Sequence, residues 1–107
     1  MRTLADVQRE IDHLIREEWR STYWSPLASL ARLTEEVGEL AREINHTYGE
    51  KPKKSDEAHG SIAAEMADIL FILASLANSI EIDLDAAFEE VMAKYQRRDA
   101  GRWQSAQ

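Results

Sequence analysis

Apolar residues along this chain recur at intervals of three and four, the repeat of one helical face, and nowhere alternate as a half-buried strand requires. Leu4, Val7, Ile11, Leu14 and Ile15 mark a first helix from Thr3 to about Trp19. Arg20 to Pro26 holds two serines, a threonine, a proline and the pair Tyr23 and Trp24, which predicts a turn or short loop. Ser25 is placed to cap, and Pro26 to open, a second helix running to about Asn45. Between His46 and Gly60 the run YGEKPKKSDEAHG, with two glycines, a proline and three lysines, has the composition of an exposed loop.

A third helix, from about Ser61 to Ser79, is apolar on nearly every side beyond Asp68, as suits a central helix or one buried at a subunit interface. Asp83 can cap a fourth, on which Leu84, Ala87, Phe88, Val91, Met92 and Tyr95 repeat at helical spacing. Residues 98–107, ending AGRWQSAQ, read as a loose tail. The expectation is one all-α domain over 1–107, a four-helix bundle-like fold.

Composition narrows the chemistry. A chain of 107 residues leaves much of its surface in water unless a partner covers some, so self-association is expected. Its 13 basic and 20 acidic residues give a net charge of -7, which opposes binding to a nucleic-acid polymer. No cysteine is present, so thiolate ligands, disulfides and cysteine nucleophiles are excluded, and a reducing cytoplasm is compatible. MRTLADVQREIDHLIREE mixes charges too closely for a secretory signal, and the apolar run Ile69 to Ala77 is far shorter than the ~20 residues that span a bilayer. No membrane span is expected.

The informative residues are carboxylates. In TEEVGELARE, Glu36 and Glu39 are three apart and Glu35 and Glu39 four apart; in AAEMADILF, Glu65 and Asp68 are three apart. One such pair is ordinarily a solvated face or an arginine's partner. Two pairs on helices that a bundle would place side by side can converge, and convergence without cations would be strongly repulsive. Asp68, followed by Ile69, Leu70 and Phe71, looks hard to keep in water. Hard divalent ions such as Mg²⁺ or Mn²⁺ prefer these oxygens, and neither cluster holds an imidazole.

Other residues carry weaker signals. Gly38 is unfavourable in a helix interior by about 1 kcal/mol, which predicts close approach of a neighbouring helix. Lys94 and Arg98 lie four apart on one face with Arg97 beside them, and could hold phosphate oxygens or complement a helix C-terminus. Trp24, Tyr23 and Trp103 could stack on a base, or belong to the core. His13, His46 and His59 show no ligand spacing, and Lys51, Lys53 and Lys54 suit solubility.

The order E-E-x-x-E, a loop, then E-x-x-D resembles the signature of the all-α nucleoside triphosphate pyrophosphatase superfamily, which includes MazG-type enzymes, dimeric dUTPases and phosphoribosyl-ATP pyrophosphatases. The matching residues are Glu35, Glu36 and Glu39, then Glu65 and Asp68, within a similarity covering roughly Leu27 to Arg98. The resemblance implies that Glu36, Glu39, Glu65 and Asp68 ligate Mg²⁺, with Mn²⁺ as a substitute. It further implies that Glu35 assists or orients water, that Lys94 and Arg98 contact phosphate, and that the chain forms dimers or dimers of dimers. Some MazG-type members carry a lysine before the second acidic pair; here no basic residue lies between Asp56 and Glu65, so the loop lysines could serve instead.

On this reading metal-activated water attacks the α-phosphorus of a common or modified nucleoside triphosphate, giving monophosphate and pyrophosphate. Two enzyme specificities rival it, dUTPase-like and phosphoribosyl-ATP-cleaving. A third reading is a non-catalytic helical module whose acids hold a structural cation.

Overall fold

The structure, a computed structural model, describes residues 1–49 and 61–104, with side chains to residue 98. Helix α1 spans Leu4–His13 and runs directly into a π-helical turn, Leu14–Glu18; α2 spans Pro26–Tyr48, α3 Ile62–Ser79 and α4 Leu84–Gln104. Among the described residues there is no strand, so the all-α expectation stands.

Helices start where side chains satisfy the first orphan N–H groups. Thr3 Oγ1 accepts from Asp6 N at 3.0 Å while Asp6 accepts from Thr3 N at 2.8 Å, a reciprocal box before α1. Ser25, Ser61 and Asp83 accept from Ala28, Ala64 and Ala86 at 3.2, 3.1 and 3.2 Å, opening α2, α3 and α4. α2 outlasts its expected end by most of a turn and stops at Gly49, where a Cβ would meet the Asn45 carbonyl oxygen at 2.4 Å. The loose tail expected from residue 98 is a correction: α4 continues through Gln104, because QRRDAGRWQ contains one glycine among tolerable helix formers, and one glycine costs only about 1 kcal/mol. Residues 50–60 and 105–107, with Lys51, Lys53, Lys54 and His59, lie outside the described residues.

α2 packs most extensively on α3, and α1 packs on α3. The core is Ile11, Ile15 and Ala74, with Val7, Tyr23, Phe71 and Leu84 against it. α4 packs chiefly against α1, and the contacts that hold it come from its first turn. Asp85 accepts from Leu4 N at 3.2 Å and Ala5 N at 3.0 Å, and Gln8 Oε1 accepts from Leu84 N at 3.1 Å. Beyond that turn Phe88, Val91, Met92 and Tyr95 are exposed. The radius of gyration is accordingly 17.7 Å, against about 13 Å for a compact chain of this length.

Among the described residues α3 alone is long and apolar enough, by length and composition, to cross a membrane, and only 17% of it is buried within this chain. Its Met66, Leu70 and Leu73 are exposed, while its Glu65 and Asp68 enter the polar site described next.

Candidate active site

Glu36 on α2 and Glu65 and Asp68 on α3 each present a carboxylate oxygen to one point, the three atoms lying within 4.8 Å of one another. Helical spacing puts Glu65 and Asp68 on one face of α3, and the α2–α3 packing brings Glu36 opposite. Glu36 is 6% exposed, whereas Asp68 is exposed. This corrects the expectation that Asp68 is hard to keep in water: Ile69 and Leu70 lie on other sides of α3, Asp68 stays open to the pocket beside Phe71 and Ile72, and the crossing of α3 covers Glu36 instead.

Three like charges at this separation need compensation. A hydrogen bond that the protonated Glu65 carboxyl donates to Glu36, helped by burial and by the charges of Glu36, Asp68 and Glu39, raises the Glu65 pKa above its ordinary 4.5. Glu65 Oε2 is buried and has no hydrogen-bond partner. A buried oxygen without a donor, among ionisable oxygens that favour sharing a proton, is the donor set a hard divalent cation would satisfy. Glu39 is exposed and outside the closest group, near enough to act on Glu65 by its charge.

Arg32 brings a cation to the cluster from its own helix. Arg32 donates to Glu35 at 2.9 Å and pairs with Glu36 at 3.0 Å, one turn along α2. Its hydrogen bond to Glu35, then the charges of Glu36, Glu35 and Asp68, raise its pKa further. The sequence reading missed Arg32, although its position three and four residues before Glu35 and Glu36 was a usable signal.

Beside the acids lies a pocket of about 340 Å³. Glu36, Asp68 and Arg32 line it together with an aromatic and aliphatic wall that includes Trp19, Trp24 and Phe71. Trp19 and Phe71 meet with ring centroids 6.3 Å apart. Trp24 is therefore where a base could be met; the side chain of Trp103 lies outside the described residues. Trp19 and Phe71 were not singled out from sequence, because the wall is assembled from separate elements. Lys94, Arg97 and Arg98 are exposed on α4 and line no part of this pocket; the Arg98 guanidinium rests 5.2 Å from the Tyr95 ring centre. A Cβ at Gly38 would meet nothing within 4 Å, so the neighbouring helix expected there does not come from this chain's described residues.

Known proteins share this arrangement of helices. The model of the MazG nucleotide pyrophosphohydrolase domain matches residues 24–103. The Bacillus subtilis (strain 168) protein YpjD is 52% identical over 102 residues, 95% of this chain and 91% of that protein. The crystal structure of Bacillus subtilis YpjD aligns with a TM-score of 0.80 at 49% identity, covering 92% of this chain and 98% of that one. A Bacillus-conserved MazG protein, itself a nucleotide pyrophosphohydrolase, aligns with a TM-score of 0.74 at 46% identity, covering 89% and 90%. Fold, acidic site and likeness together define an all-α hydrolase of nucleotide pyrophosphate bonds. The chain belongs to the MazG nucleotide pyrophosphohydrolase family, one of divalent-metal-dependent enzymes, and the reading as a non-catalytic module falls away.

Proposed function

We propose that this enzyme converts nucleoside or deoxynucleoside triphosphates, with common or modified bases, to the monophosphate and pyrophosphate in a Mg²⁺-dependent reaction. The observation that carries this reading is the convergence of Glu36, Glu65 and Asp68 at the end of an aromatic pocket. Polyphosphate would lie at the acidic end and the base against Trp19 and Trp24.

Glu36, Glu65 and Asp68 would hold the ion, with Glu39 joining from the next turn of α2. When bound, the ion neutralises the polyanion and makes water a stronger nucleophile at neutral pH. Mn²⁺, equally content with oxygen ligands, would substitute. Glu35 restrains Arg32 at the junction of acids and pocket, where the guanidinium can meet phosphate oxygens, and would itself assist by orienting water.

We further propose that a second copy, in a homodimer or a dimer of dimers, covers the exposed apolar residues of α3 and α4 and supplies Lys94 and Arg98 to phosphate. Support comes from the row Phe88, Val91, Met92 and Tyr95, spaced as one helical face and exposed in the single chain. The absence of cysteine suits the reducing cytoplasm in which we place the enzyme.

The test is release of pyrophosphate and monophosphate from a panel of standard and modified nucleoside triphosphates, with Mg²⁺, with EDTA, and with Asp68→Ala. Metal-dependent release of both products, lost in the variant and in Glu39→Ala, is the expected result. Phosphate released one unit at a time, or activity that persists in EDTA, would count against it.

A further inference from the structure

We infer that Tyr23, held by Asp12 and Asn78, is a positioning residue that sets the aromatic wall of the pocket and thereby the affinity for the nucleoside end of the substrate; this rests on the pocket assignment proposed above. One side of that wall is an irregular segment. Between the π-helical turn and α2, Ser21, Thr22, Tyr23 and Trp24 all line the pocket without belonging to a helix. Such a segment loses conformational freedom only where something anchors it.

Its two ends are fixed by backbone and cap: Ser21 N donates to Ile15 O at 2.8 Å, and Ser25 caps α2. Between them the anchor is Tyr23. Its ring packs on the Ile11, Ile15 and Ala74 core, with the Arg16 guanidinium 5.2 Å from the ring centre. Its hydroxyl donates to Asp12 Oδ1 and accepts from Asn78 Nδ2 at 3.1 Å. The direction of these bonds is determined, because Asn78 Nδ2 can only donate, which leaves the phenolic hydrogen for Asp12.

Both partners are themselves held. Asp12 pairs with Arg16 Nε at 2.9 Å. Asn78 donates to Gln8 O at 2.9 Å and accepts from Gln8 Nε2 at 3.0 Å, while Gln8 Nε2 also reaches Ile82 O at 2.8 Å. One hydroxyl therefore ties the pocket segment to α1 and to the end of α3, the helix that also carries Asp68. Burial and the neighbouring Asp12 raise the phenol's pKa, so it stays a donor at any pH the enzyme would meet.

The experiment compares Tyr23→Phe, Asp12→Ala, Asp12→Asn and the double variant Tyr23→Phe with Asp12→Ala in the full chain. Nucleotide turnover gives KM and kcat, inhibition by inorganic tripolyphosphate with Mg²⁺ reports the acidic end alone, and amide exchange follows residues 20–24. Tyr23→Phe and Asp12→Ala should each raise KM by roughly tenfold, the worth of one partly buried hydrogen bond to a charged group, with the effect on KM rather than kcat. The double variant should be no worse than either single, Asp12→Asn should recover most of the loss by keeping an acceptor, and tripolyphosphate inhibition should stay as in the parent.

Faster exchange at 20–24 in Tyr23→Phe, reversed toward normal in Asp12→Asn relative to Asp12→Ala, is the companion expectation and needs no substrate. Unchanged exchange and KM in Tyr23→Phe would overturn the inference, as would equal weakening of tripolyphosphate and nucleotide. An anchor confirmed by exchange in a parent enzyme that cleaves no nucleotide would overturn the functional reading of the pocket, while leaving Tyr23 as the residue that orders its wall.

Discussion

Arg32 stands 3.0 Å from Glu36 across a single turn of α2, so the buried acid of the cluster is neutralised by its own helix. A cation arriving at Glu36, Glu65 and Asp68 would take over that task. Removing Arg32 leaves Glu36 buried beside like charges without the guanidinium that pairs with it, which is more costly than never having formed the pair. Arg32→Ala should therefore melt at a lower temperature than the parent in EDTA, and Mg²⁺ should raise its melting temperature by more than it raises the parent's. Thermal unfolding of both proteins with and without Mg²⁺ checks this. Equal melting in EDTA would mean that the Glu36 charge is relieved in some other way.

The raised pKa of Glu65 has a definite sign. From its ordinary 4.5 up to the higher folded value, the folded chain keeps a proton that the unfolded chain has released. Stability contributed by this group is thus greatest below 4.5 and falls as pH rises through that window. Glu65→Gln removes the ionisation, so the parent minus the variant should show a stability difference that declines with pH in EDTA. Mg²⁺ favours the ionised form and should flatten the decline. Urea unfolding over a pH series, in both metal conditions, measures it; a difference that grows with pH would contradict the shared-proton picture.

Spacing made the two acidic pairs legible, because side chains three apart on a helix share a face whatever the tertiary structure does. Which acid is buried was not legible. Of the apolar residues after Asp68, Ile69 and Leu70 lie on other sides of the helix and Phe71, on the same side, leaves Asp68 open at the pocket, while burial of Glu36 is decided by where α3 crosses α2. The helices themselves could be read from the 3.6 period and from Thr3, Ser25 and Asp83, whose oxygens act on N–H groups within three residues. The π-helical turn at Leu14–Glu18 and the meeting of Trp19 with Phe71 left no such mark, since the first adds no periodic signal and the second joins distant segments. The extent of α4 was not legible because the apolar repeat stops at Tyr95, while the helix runs on through Gln104 on residues that carry no periodic signal.

Gly38 tests what the single chain lacks. With nothing within 4 Å of a Cβ at that position, Gly38→Ala should stabilise the isolated chain by about 0.5–1 kcal/mol, chiefly through the entropy of the unfolded state. Urea unfolding at a protein concentration low enough to keep the chain monomeric reads that gain. If the same variant weakens self-association when concentrated, a second copy's helix approaches α2 at Gly38, which is the reason for a glycine that the single chain does not provide.

Phe88 gives the most direct test of that second copy. On α4 it is 57% exposed and begins the apolar row continued by Val91, Met92 and Tyr95, on a helix attached to the rest of the chain mainly through its first turn. Burying a phenylalanine contributes about 1.5–3 kcal/mol, and a twofold dimer buries it twice, so Phe88→Asp should weaken the dimer by at least about two to four orders of magnitude. Sedimentation should show the parent as a dimer or larger and the variant as a monomer of unchanged helicity. Because Lys94 and Arg98 line no part of the pocket within their own chain, turnover should fall along with the dimer. A monomeric variant with full activity would show that those two cations do not act on another copy's substrate, and would leave Arg32 as the cation that meets phosphate.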